Sequence, residues 1–64
     1  MQMDIWTLNG VEYITVQDFA KVCQVQRQTI YRWIYLGMPA ARSQAGSFLV
    51  PYKEALEWVV DYRR

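Results

Sequence analysis

A chain of 64 residues has room for one small core, and apolar side chains at 53% of positions supply enough material to argue against disorder. One cysteine, Cys23, and no histidine exclude an internal disulfide and the usual zinc clusters, which fits a reduced, cytoplasmic setting. The net charge of +1 excludes a uniformly basic surface, and no apolar run nears the roughly 20 residues that span a bilayer, so no membrane partner is expected.

Met1-Gln2-Met3-Asp4 lacks the basic start and apolar stretch of a secretory signal. Ile5-Trp6-Thr7-Leu8, Asn9-Gly10 and Val11-Glu12-Tyr13-Ile14 then spell a β-hairpin over residues 4–14, because Asn-Gly accepts the positive φ angles of a two-residue turn. Leu8 should face Val11, Trp6 should face Tyr13, and this four-residue face is the one expected to be buried; Thr7 and Glu12 lie opposite. Thr15, with Asp18 three residues on, offers an N-cap to a first helix whose Val16, Phe19, Ala20 and Cys23 recur at helical spacing. The pattern breaks at Cys23-Gln24-Val25 without Gly or Pro. A second helix begins near Arg27, with Ile30, Trp33 and Ile34 inward, Gly37 placed to end it in a left-handed conformation and Pro39 barring its extension.

Residues 15–37 therefore read as helix-turn-helix. Ala40-Ala41-Arg42 and Phe48-Leu49-Val50 flank a polar stretch, Ser43 to Ser47, as a second hairpin over residues 40–50 with a flexible tip, the candidate wing. Pro51 suits the first position of a third helix over residues 51–63, with Tyr52, Ala55, Leu56, Val59 and Tyr62 as its apolar stripe. The expected fold is α+β: a small winged helix-turn-helix with three helices, a wing and an extra N-terminal hairpin, one domain over residues 1–64.

Charge placement matters more than its sum. Asp4, Glu12 and Asp18 precede position 19 and Glu54, Glu57 and Asp61 follow position 53, whereas Lys21, Arg27, Arg32, Arg42 and Lys53 lie between with no acid among them. Two helices joined by a short turn are often a plain helical hairpin; the outer face of the second helix distinguishes a DNA reader. Here Arg27, Tyr31 and Tyr35 are spaced by four, Gln28 and Arg32 form the adjacent row, and no acid intervenes.

Gln26, Arg27 and Gln28 stand at the helix N-terminus, where such proteins touch base edges. An arginine fork suits guanine and a glutamine amide suits adenine. Arg32 and Tyr31 are assigned to the phosphate backbone, with Thr29 and Tyr35 supporting. The competing role for Tyr31 and Tyr35 is packing against the first hairpin. On the wing, Arg42, Ser43, Gln44 and Ser47 suit a minor groove or flanking phosphate, although a plain solvated hairpin has a similar composition.

From Ile14 to Val59 the chain resembles winged-helix members of the MerR-like superfamily, in particular phage and plasmid excisionases and related small regulators. The resemblance rests on Ile14-Thr15-Val16-Gln17-Asp18-Phe19-Ala20, Thr29-Ile30-Tyr31-Arg32-Trp33, Gly37-Met38-Pro39, Arg42 before a Gly-containing wing, and Phe48-Leu49-Val50-Pro51 leading into Glu54-Ala55-Leu56-Glu57-Trp58. It implies that Gln26 to Arg32 enters the major groove and Arg42 to Ser47 contacts the minor groove or backbone. Two departures concern the cap and the wing. Cys23-Gln24-Val25-Gln26 stands where many relatives carry Leu-Gly-Val-Ser, and Ser47 stands where a basic residue is frequent.

The function so implied is sequence-specific binding of double-stranded DNA as an excisionase, or recombination directionality factor, or as a phage or plasmid transcription regulator. Integrase, or another copy of the chain on an adjacent site, is the implied protein partner. Full-length MerR regulators add a dimerisation helix and an effector domain, and neither fits after Val59, so for a complete chain no small-molecule ligand is expected; no cofactor is expected either. As a fragment, the same unit would suit a terminase small subunit or a recombinase. The first hairpin exceeds the minimal family pattern; it would add a sheet edge, mediate protomer contacts or enlarge the core. Catalysis is not expected, since no His and no Gly-rich phosphate loop is present. The rival class is a protein-interaction module using its aromatic surface.

Overall fold

Asn9 and Gly10, at φ of 53° and 80°, close the first hairpin between β1 (Trp6–Leu8) and β2 (Val11–Thr15). Trp6 lies opposite Tyr13, Thr7 opposite Glu12 and Leu8 opposite Val11, the register that the Asn-Gly turn dictates. The computed structural model describes residues 4–64; the sequence-based exclusion of a secretory signal rests in part on residues 1–3, which lie outside the described residues.

The face that meets the core is the opposite of the one expected. Ile14 is buried and pairs across the sheet with the buried Val50, while Trp6 and Leu8 remain 44% and 63% exposed. Side chains alternate along a strand, so once Ile14 faces the helices, Trp6, Leu8, Val11 and Tyr13 must face away. The apolar content of the hairpin gave no guide to this, because both faces of β2 carry apolar residues.

β2 also pairs with β4 (Phe48–Pro51), and β4 pairs with β3 (Ala41–Arg42), so the two expected hairpins form one four-stranded antiparallel sheet in the order β1-β2-β4-β3. The first hairpin is thus an added sheet edge. Each inner strand runs straight into a helix: β2 into α1 (Val16–Cys23) and β4 into α3 (Tyr52–Arg63).

The Thr15 hydroxyl accepts a hydrogen bond from the Asp18 amide at 3.1 Å and caps α1. At the other end Gln24 takes the left-handed conformation that glycine would favour, and the Gln24 and Val25 amides donate to the Lys21 and Ala20 carbonyls. This explains how the helix stops without Gly or Pro. α2 (Arg27–Leu36) begins after Gln26 and ends at Gly37, whose φ of 120° lets its amide reach the Ile34 carbonyl and the Met38 amide reach that of Trp33. The turn carries Met38 into the core. Pro51 ends β4 and occupies the cap position of α3, one residue before the position expected for it.

Ile14, Val16, Phe19, Ala20, Ile30, Trp33, Met38, Val50, Ala55 and Val59 form the core, and no polar or charged residue among those described is buried. Such an apolar core leaves no orphaned side-chain hydrogen-bonding group among the described residues. Tyr62, expected on the buried stripe of α3, is instead exposed and stacks on Trp58 one turn earlier, with centroids 4.9 Å apart. Trp33 tilts against both rings, at 6.5 and 6.4 Å, and this aromatic cluster joins α2 to α3. The radius of gyration, 11.0 Å, is that of a compact unit.

Candidate nucleic-acid interface

α2 turns Ile30 and Trp33 into the core, which leaves the row of Arg27, Tyr31 and Tyr35 on its outer side. Arg27 and Tyr31 form one wall of an open cleft of about 450 Å³; Ser43, Ser47 and Phe48 of the second hairpin form part of the other. The ring of Phe48 fastens the two elements together. Tyr31 meets it edge-on with centroids 5.9 Å apart, and the Arg42 guanidinium lies 4.8 Å from its centroid. Arg42 is also the cross-strand partner of Phe48, so strand register alone brings this cation beside the cleft.

The alternative of Tyr31 packing against the first hairpin is therefore corrected: its partner is the second hairpin. Tyr35 is 89% exposed and free of both. The hairpin tip, expected to be flexible, is tied by hydrogen bonds. The Ser43 amide donates to the Ser47 carbonyl at 2.7 Å, the Gly46 amide to the Ser43 carbonyl, and the Ser47 amide to the Ser43 hydroxyl.

A second cleft lies between α1 and the start of α2, where Arg27 is joined by Gln17 and Lys21. Arg27 borders both clefts, and no carboxylate lines either of them. In the first cleft Arg27 lies among the hydroxyls of Thr15, Ser43 and Ser47 and the amide of Gln17, an arrangement suited to an anion.

Of the residues expected at the interface, Arg27, Tyr31, Ser43 and Ser47 line one cleft and Arg42 adjoins it. Gln26, Gln28, Arg32, Tyr35 and Gln44 are exposed outside that lining, and Thr29 is half-buried. The central basic block does not gather as a unit. Lys53 opens α3 beside Glu12 and Glu54, around a separate cleft at the turn of the first hairpin.

Trp6, Thr15, Gln17 and Lys21 reach the two clefts although none was assigned to the interface. For Lys21 the signal was its place in the basic block. For Trp6 there was none, because the pairing of β2 with β4 that brings the first hairpin to the cleft has no local sequence signature.

Cys23 packs half-buried against the core, where burial pushes its thiol pKa up against a smaller downward pull from Arg63. No group of residues arranged to hold a metal occurs among those described. Compared with models of protein families, with curated proteins and with solved structures, the chain finds no match.

Proposed function

We propose that this protein is a winged helix-turn-helix module that binds double-stranded DNA sequence-specifically, with α2 in the major groove and the β3–β4 hairpin on the neighbouring minor groove or backbone. The observation that carries this reading is the acid-free surface around Arg27, where α2 and the second hairpin meet across an open cleft. Gln26, Arg27 and Gln28, exposed at the start of α2, read base edges. Arg32 and Tyr31 hold the backbone with Thr29 and Tyr35, while Arg42, Ser43, Gln44 and Ser47 touch phosphate or the minor groove.

So few cations give weak binding by a single copy, so a second copy on an adjacent site or an integrase partner strengthens the complex. The role that fits is recombination directionality, as in an excisionase, or the switching of a phage or plasmid promoter. A second reading, a protein-docking module, draws on Ile5, just before β1, and Leu8, at its end, both exposed.

A gel shift with random-sequence duplex DNA at two salt concentrations separates them. The DNA reading expects a shift that weakens steeply as salt rises, since each neutralised phosphate releases counterions. Absence of a shift at both concentrations rejects it in favour of protein docking.

A further inference from the structure

Trp6 belongs to no part of the hydrophobic core, is 44% exposed, and lines the cleft between α2 and the second hairpin. Thr15 and Gln17, at the start of α1, line the same cleft together with Arg27, Ser43 and Ser47. If α2 and the hairpin occupy neighbouring grooves, the ridge between those grooves runs through this cleft. That ridge is one sugar-phosphate strand, which alternates an anionic phosphate with a largely apolar deoxyribose. The cleft matches both: the hydroxyls of Thr15, Ser43 and Ser47 and the Gln17 amide, with the Arg42 guanidinium adjoining at Phe48, for the phosphate, and an indole face for the sugar.

We infer that the cleft seats one sugar-phosphate unit of double-stranded DNA and that Trp6, carried by the N-terminal hairpin, packs on its deoxyribose. This rests on the DNA-binding reading above and gives the first hairpin a part in it. A Trp on an edge strand outside the core is available for such contact without loss of packing. Its contribution is independent of base sequence, since every nucleotide presents the same sugar.

The test uses the full chain, fluorescence anisotropy of a labelled random duplex, and tryptophan emission. Trp33 is buried and Trp58 lies in the aromatic cluster on α3, so an emission change on adding DNA reports chiefly on Trp6. DNA should change the emission, inorganic phosphate at matched ionic strength should not, and Trp6→Phe should abolish most of the change. Trp6→Ala should weaken binding roughly five- to tenfold for all sequences alike, the effect of uncovering a few tens of Å² of apolar ring, measured below the variant's own thermal midpoint.

If Trp6→Ala binds like the wild type while Arg27→Ala binds more weakly, the seat for Trp6 is overturned and DNA binding stands. An equal response to inorganic phosphate overturns the DNA-strand assignment. If the wild type binds no DNA, both proposals fall. Should Trp6→Ala not fold, emission of the wild type and of Trp6→Phe still decides the matter.

Discussion

Arg27 and Arg32 lie on neighbouring rows of α2, and their surroundings differ in a way that suits the separate roles proposed for them. Arg27 stands at the helix start between two acid-free clefts, whereas Arg32, one turn further along, is exposed outside both. Replacing Arg27 with Ala should reduce discrimination between sites by about 1–3 kcal/mol, as expected of a base-reading arginine. Arg32→Ala should instead weaken all sequences alike and reduce the slope of log affinity against log salt by about 1. Competition binding with matched and scrambled duplexes checks both. Cys23 supplies a pH-dependent prediction. Burial raises its folded pKa, so the neutral thiol is favoured in the fold; that contribution is present at neutral pH and is lost as pH climbs through the raised pKa. Alkylation of the folded chain at neutral pH should be slower than that of the urea-unfolded chain, and the two rates should converge as pH rises.

At the scale of elements, the helix ends and hairpin turns were legible because each is fixed by local chemistry. Thr15 caps α1 through its hydroxyl, and Thr15→Ala should cost about 1 kcal/mol, seen as a thermal midpoint lower by roughly 4–8 °C. Asn9-Gly10 set the register of the first hairpin, and Gly37 ended α2 where expected. What the local pattern left open was which side of that hairpin the helices would cover. Ile14 decides it through its pairing with Val50, a residue far along the chain. The same distance hides the Phe48 contact with Tyr31 and the meeting of Trp33 with Trp58 and Tyr62, since none of these pairs shares an element. Around the cleft, the shared face of Arg27 and Tyr31 was legible from helical spacing, and the nearness of Arg42, Ser43 and Ser47 to one another from the hairpin. Trp6, Thr15 and Gln17 emerged only with the pairing of β2 and β4.

For the whole molecule, one sheet face and three helices enclose a small apolar core centred on Phe19, Ile14, Ile30 and Val50. Phe19→Ala should cost about 3–5 kcal/mol, close to the whole stability of a domain near the lower end of about 5–15 kcal/mol. That leaves about 0–2 kcal/mol, so circular dichroism should show a thermal midpoint lowered to near or modestly above room temperature. The charge arrangement follows the same architecture. Glu12, Lys53 and Glu54 gather at the turn of the first hairpin, while no carboxylate lines the cleft at Arg27. A net charge of +1 thus says little about the local charge at that cleft. The most direct test of the proposed DNA binding is a titration of the isotopically labelled full chain with duplex DNA, followed by backbone amide shifts. DNA binding through α2 and the second hairpin predicts perturbations concentrated at residues 26–32 and 42–47, whereas shifts confined to Glu57–Asp61 on α3, or none at any residue, would contradict it.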